Sequence, residues 1–244
     1  EELPAEEPAE EEAAVLLQEK NTYKPYWENG NRSNLVVFVD FADTDHNAHP
    51  ETYGEGLTKN PATTFKYFNG DEDTPRGMRQ YLYNISYGQL RVENIFPQYD
   101  AVNNTITPYT LSGKASDYVN NESGMVTEIL EKLNASGQIQ DNMNLHLSGE
   151  SADGKYFLDN LNIVLGGDSA NVFVNHQASY FGNKQVAGCL VQKYTITKEK
   201  EIYLGHDESG VIIHEFLHTL GYPDMYRPGE GVPIGTWDIM ANVS

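Results

Sequence analysis

Residues 206–226 read HDESGVIIHEFLHTLGYPDMY, and the interpretation of this stretch governs the rest of the chain. Asp207 or Ser209 suits the cap of a helix, and Val211, Ile212, Ile213, Phe216, Leu217 and Leu220 surround that helix almost completely. A helix apolar nearly all round is a buried one. Two histidines and a glutamate lie inside it, and burying them without partners is costly. Their spacing supplies a reason. His214 and His218 are four residues apart, so both imidazoles project from one face, one turn apart. That geometry lets two nitrogens meet one Zn²⁺, with Glu215 beside them to hold a proton.

A catalytic zinc needs a third protein ligand and an open position for water. Gly221 is suited to end the helix in the left-handed conformation that other residues avoid. The chain then turns through Tyr222 and Pro223, which brings Asp224 back towards the metal. The bare His-Glu-x-x-His pattern arises by chance in roughly one to two per cent of chains of this composition. Requiring the glycine and the acid as well lowers that to about one in ten thousand. The bland alternative is a pair of histidines satisfied inside a core helix; so apolar a helix does not hide them without a cation.

Working outward, NLVVFVDF (34–41) is a short apolar run rich in β-branched residues, as expected of a central strand covered on both faces. Residues 60–69 fit a short helix, 78–86 a second one, and 89–96 alternate as a strand. Residues 115–135 carry a helical stripe of Val119, Met125, Val126, Ile129, Leu130 and Leu133, closed by Asn134 and Gly137. Residues 155–167 and 185–196 are two further strand candidates. This alternation predicts a mixed sheet with helices packed on it, an α+β architecture. An edge strand within 185–196 is expected to pair with an extended substrate.

The chain has 244 residues, with 36 Asp plus Glu against 16 Lys plus Arg, for a net charge of −20. Residues 1–12, EELPAEEPAEEE, carry seven Glu and no base, which leaves −13 on the remainder. The reading therefore sets apart residues 1–20 as an acidic disordered segment or linker. The charge excludes sequence-independent nucleic-acid binding, which needs a Lys/Arg surplus. A single cysteine, Cys189, excludes an internal disulfide and a thiolate zinc cluster, and suits a small core residue. No apolar run is long enough to span a membrane as a helix. An acidic, Lys-poor chain with 16 Tyr is compatible with secretion. A monomer is expected.

HEFLHTLGYPDMY followed by GTWDIM (235–240) resembles the immune inhibitor A family of secreted bacterial metallopeptidases. NLVVFVDFAD (34–43), YLYNISYGQLRV (81–92) and DGKYFLDNLNIVL (153–165) resemble it more weakly, so the likeness extends over 33–244. It implies a metzincin-like zincin with a mixed twisted sheet, a buried active-site helix and a Met-turn. It also implies His214, His218 and Asp224 as zinc ligands, Glu215 as general base and Met240 as the methionine beneath the metal. The implied location is extracellular or at the bacterial cell surface, and the leader is absent from this chain. Arg227 stands where the family often has a small or acidic residue, and the chain ends four residues after Met240. The expectation is thus a catalytic domain over 21–244, cut short at its C-terminus.

The expected reaction is peptide-bond hydrolysis by an endopeptidase acting on protein or peptide. Glu215 takes a proton from water and passes it to the leaving amine. Tyr226, His176 and Tyr194 are candidate oxyanion or substrate contacts; against each stands an ordinary structural role. His206 reads as a helix-start residue rather than a ligand. His46 and His49 beside Asp43 and Asp45 read as solvated loop. NGDEDT (69–74) is a weak Ca²⁺ candidate without the full EF-hand pattern. The rival function is a non-catalytic cell-surface binding module on a peptidase scaffold.

Overall fold

The computed structural model describes residues 30–45, 57–70, 76–140, 143–204, 209–225 and 238–241. Strand β1, Asn31–Asp40, is buried over nearly its whole length, as its unbroken apolar run requires. Helices α1 (Pro61–Asn69) and α2 (Met78–Ile85) follow and lead to β2, Arg91–Ile95. After the short strand β3 (Tyr109–Thr110) come helix α3 (Glu122–Ser136) and strands β4 (Leu161–Leu165), β5 (His176–Ser179) and β6 (Lys193–Lys198). Helices α4 (Glu199–Leu204) and α5 (Gly210–Thr219) complete the described elements.

The strands join in the order β2-β1-β4-β6-β5, with β3 also pairing to β1. All of these pairs are parallel except β5 on β6, which is antiparallel. The sheet is therefore mixed, as expected. One face carries Leu35, Val37, Ile163 and Ile196 against the α3 residues Met125, Val126, Ile129 and Leu133. The other face turns Val36, Phe38 and Val164 towards α1, α2, α4 and α5. Between β2 and β3, β1 would lack a neighbour at Phe38. Gln98 fills that gap: its Oε1 accepts from the Phe38 N–H at 2.7 Å, and its Nε2 donates to Phe38 O at 2.8 Å and Thr107 O at 3.1 Å.

Three expected elements are broken, each for a local reason. The 115–135 helix is two, Ala115–Tyr118 and Glu122–Ser136, and Val119 is 45% exposed rather than part of the stripe. Asn120 and Asn121 interrupt it, because their short amides compete with helical hydrogen bonding. The 155–167 strand splits into Lys155–Tyr156 and β4; the first piece folds back on Ser151–Ala152 through Asp153 and Gly154, both at positive φ. The 185–196 strand likewise divides into a hairpin, Gln185–Val186 with Cys189–Leu190, and then β6. Ala187 and Gly188 have φ of +47° and +77°, the pattern of a two-residue hairpin turn. The expectation of an edge strand within 185–196 is corrected accordingly. β6 lies inside the sheet, and β5 is its edge.

Cys189 is buried, and burial pushes its thiol pKa up, as suits a small core residue. No helix of the described residues is long and apolar enough to cross a membrane. Residues 1–20, His46, His49, 71–74 of the calcium candidate, His206, Tyr226 and Arg227 lie outside the described residues.

Candidate metal centre

Helix α5 is buried along its length, with Val211, Ile212, Ile213, Phe216 and Leu217 in one core with Met240. Ser209 occupies its N-cap position but does not cap it; its hydroxyl donates to Tyr67 O at 2.8 Å and ties the helix start to α1. The C-terminus ends as Gly221 requires. With φ at +91°, Gly221 donates its N–H to His218 O at 3.0 Å, and the Tyr222 N–H reaches Leu217 O at 3.2 Å. These two bonds make a Schellman motif, which reverses the chain and brings Asp224 over the last turn of the helix.

Three acceptor atoms converge there. His214 Nε2 and His218 Nε2 are 3.1 Å apart, and Asp224 Oδ1 is 3.2 Å from the first and 3.3 Å from the second. Their protonation follows from their partners. Nδ1 of His214 lies 2.9 Å from Ile239 O, and Nδ1 of His218 lies 2.7 Å from Tyr222 O. A carbonyl only accepts, so each Nδ1 carries a proton, and in the neutral ring each Nε2 then offers a lone pair. Two imidazole nitrogens and a carboxyl oxygen then face one point, as the ligands of a cation do. Ligands 2.0–2.1 Å from a tetrahedral ion are about 3.3–3.4 Å apart, close to the separations here. The residues therefore fit a zinc ion, and the carbonyls of Tyr222 and Ile239 are the groups that orient its imidazoles.

Glu215 also brings an oxygen within 4.8 Å of both imidazoles. Asp224 Oδ1 lies 3.2 and 3.3 Å from the two Nε2 atoms, and Glu215 stands beside this triangle. Glu215 is buried and its Oε2 has no hydrogen-bond partner. Burial pushes its carboxyl up to about 7; the positive charge of His176 opposes this, and Asp224 reinforces it. Exposure rises across the site, from 4% for the His214 side chain to 18% for His218 and 39% for Asp224. Among the described residues, the centre is therefore closed on the helix side and open beyond Asp224.

Residues 238–241 form the wall behind His214. Asp238 Oδ1 accepts from the Met240 N–H at 2.8 Å, and Asp238 O accepts from the Ala241 N–H at 2.9 Å, which tightens the turn. Met240 O takes the Met225 N–H at 2.8 Å, so this turn also fastens the loop that carries Asp224. Met240 is 3% exposed and packs with the residues of α5.

His176 and Tyr194 lie on the α3 face of the sheet. Both donate to Glu122 Oε1, His176 through Nε2 at 2.9 Å and Tyr194 through its hydroxyl. The Glu122 bond holds His176 above the usual imidazole range, against burial. Burial works to raise the Glu122 carboxyl, but the two hydrogen bonds outweigh it and hold the group below its ordinary value. Burial, aided by that carboxylate, pushes the Tyr194 hydroxyl up. Sequence reasoning missed Glu122, which lies 54 residues from His176 with nothing in its neighbours to mark it.

No curated protein matches the chain. Every ligand candidate, the glutamate between them and the 238–241 turn lie within residues 137–244, a segment that matches the family model for the immune inhibitor A peptidase M6 catalytic domain. That match starts after 34–43 and 81–92, the more weakly similar stretches. Residues 137–244, a little under half of the chain, are thus similar to an immune inhibitor A peptidase catalytic domain.

Proposed function

We propose that the protein is a zinc-dependent endopeptidase with His214, His218 and Asp224 as metal ligands and Glu215 as general base. The observation that carries this reading is the triangle of two imidazole nitrogens and a carboxyl oxygen 3.1–3.3 Å apart, beside a buried glutamate whose Oε2 has no hydrogen-bond partner. A zinc ion bound there supplies Lewis acidity, polarising a carbonyl and bringing the pKa of a water towards neutrality. Glu215 accepts the proton of the attacking water and delivers it to the amine that leaves. The carbonyls of Tyr222 and Ile239 keep both imidazoles in the Nδ1–H tautomer. Residues 238–241 act as a Met-turn, with Met240 packed beneath the ligand helix, in a metzincin-like arrangement. The family reading carries secretion with it.

Extended substrate pairs with β5. The Tyr180 N–H bonds Gln192 O at 2.7 Å, and the register matches Ala178 to Tyr194 and His176 to Ile196. Antiparallel pairs alternate, so the backbone N–H and C=O groups of Gln177 and Ser179 point away from β6 towards the open edge. A peptide strand satisfies these groups.

The test is Glu215→Gln. This variant retains zinc and loses about 10²–10⁴-fold in peptide cleavage, the usual contribution of a general base. Undiminished cleavage by the variant overturns the mechanism.

A further inference from the structure

The edge strand that receives substrate in this reading is weakly held by the sheet. β5 has four residues, none of them buried, and among the described residues it pairs with one neighbour. What fixes it is a set of side-chain bonds to α3, on the face opposite the metal helix. At its start, His176 Nε2 meets Glu122 at 2.9 Å, while His176 Nδ1 donates to Val174 O at 3.0 Å. Just past its end, the Tyr180 hydroxyl meets Thr127 Oγ1 at 2.9 Å. Glu122 and Thr127 both belong to α3. Glu122 Oε1 also accepts the hydroxyl of Tyr194, from β6. One carboxylate oxygen thus holds the edge strand and its inner neighbour together, and α3 braces β5 at both ends.

We propose that Glu122 is a positioning residue for substrate, acting through His176 and Tyr194 to hold the Gln177 and Ser179 amides in register for a peptide strand. This rests on the reading of β5 as the substrate edge. Neither Glu122 nor Thr127 touches the metal ligands. Their contribution falls on binding, because a strand free to move satisfies fewer backbone groups of the peptide and orders at the cost of affinity.

The test compares wild type, Glu122→Ala, Glu122→Gln and Thr127→Val, all zinc-loaded, on an extended eight-residue peptide. Glu122→Ala is expected to raise KM about tenfold with kcat within about twofold, the scale of one lost charge-assisted hydrogen bond. Glu122→Gln, which keeps an acceptor oxygen, recovers part of that loss. Thr127→Val, a milder change at the other brace, raises KM about threefold and keeps the test open if Glu122→Ala does not fold. A merely structural role lowers the active fraction, so apparent kcat falls and KM stays. That result, or wild-type KM in Glu122→Ala and Thr127→Val, overturns the inference and leaves the peptidase reading standing. Absence of chelator-sensitive cleavage by the wild type overturns both.

Discussion

Replacing Gly221 with Ala tests whether one backbone angle delivers Asp224, the proposed third ligand. Its φ of +91° lies where L side chains are disfavoured, and a Cβ placed there meets nothing within 4 Å. No steric clash contributes, so the cost is that of the backbone alone, about 1–3 kcal/mol. For a domain of this size, each kcal/mol lowers Tm by roughly 2–4 °C. The structural relief is to shift φ negative. That breaks the 3.0 Å and 3.2 Å bonds to His218 O and Leu217 O and carries away Tyr222 O, which orients His218, along with Asp224. Losing an orienting partner of a ligand costs about 10–100-fold in metal affinity. The assay is thermal melting with chelator present, then zinc affinity by competition with a chromophoric chelator. Gly221→Asn, which tolerates the left-handed region better, is expected to lose less on both measures. Unchanged melting refutes the strain argument. Destabilisation with wild-type zinc affinity refutes the claim that this turn delivers Asp224.

Other outcomes follow from other parts of the molecule. Gln98→Leu leaves the buried N–H and C=O of Phe38 without partners, so urea unfolding should show a loss of about 3–5 kcal/mol with an unchanged slope; a loss under 1 kcal/mol refutes the bridging role. His176 titrates higher when folded, so its contribution is full below the unfolded imidazole value, about 6.5, and fades as pH rises through the folded value. Glu122 titrates lower when folded, so its contribution is full above about 4.3 and fades as pH falls through the folded value. The Tm gap between wild type and His176→Gln should therefore be widest between about pH 4.3 and 6.5 and narrow towards pH 9; a gap that does not vary with pH contradicts the pairing. Adding zinc to chelator-treated protein should raise stability by about 1.4 kcal/mol per tenfold excess over Kd, and Asp224→Ala should need far more zinc for the same rise. Equal shifts in both proteins would remove Asp224 from the ligand set.

The parts legible in sequence were those whose cause is local. His214 and His218 share a face because a helix has a fixed period, and Gly221 marks the turn because few other residues take its conformation. The run 34–41 announces a central strand by its unbroken apolarity, and β1 is one. Illegible parts depend on contacts between distant segments. Ala187 and Gly188 turn a promising strand into a hairpin, and alanine carries no warning of positive φ. The groups that fix each imidazole tautomer are main-chain carbonyls, so Tyr222 and Ile239 leave no trace in side-chain chemistry. Glu122 looks like any acid in a first helical turn until β5 and β6 bring His176 and Tyr194 to it.

The bond from His214 to Ile239 has a consequence for the order of events during synthesis. The nitrogen of His214 that faces Asp224 is set by a carbonyl 25 residues further along the chain, and the loop bearing Asp224 is fastened to Met240. A nascent chain that has emerged only as far as the helix has two histidines free to take either tautomer and Asp224 not yet anchored. The proposed centre is therefore complete only once residues 222–240 have emerged, after every strand of the main sheet. On the proposed function, the strands that carry the centre leave the ribosome before the centre can act on them.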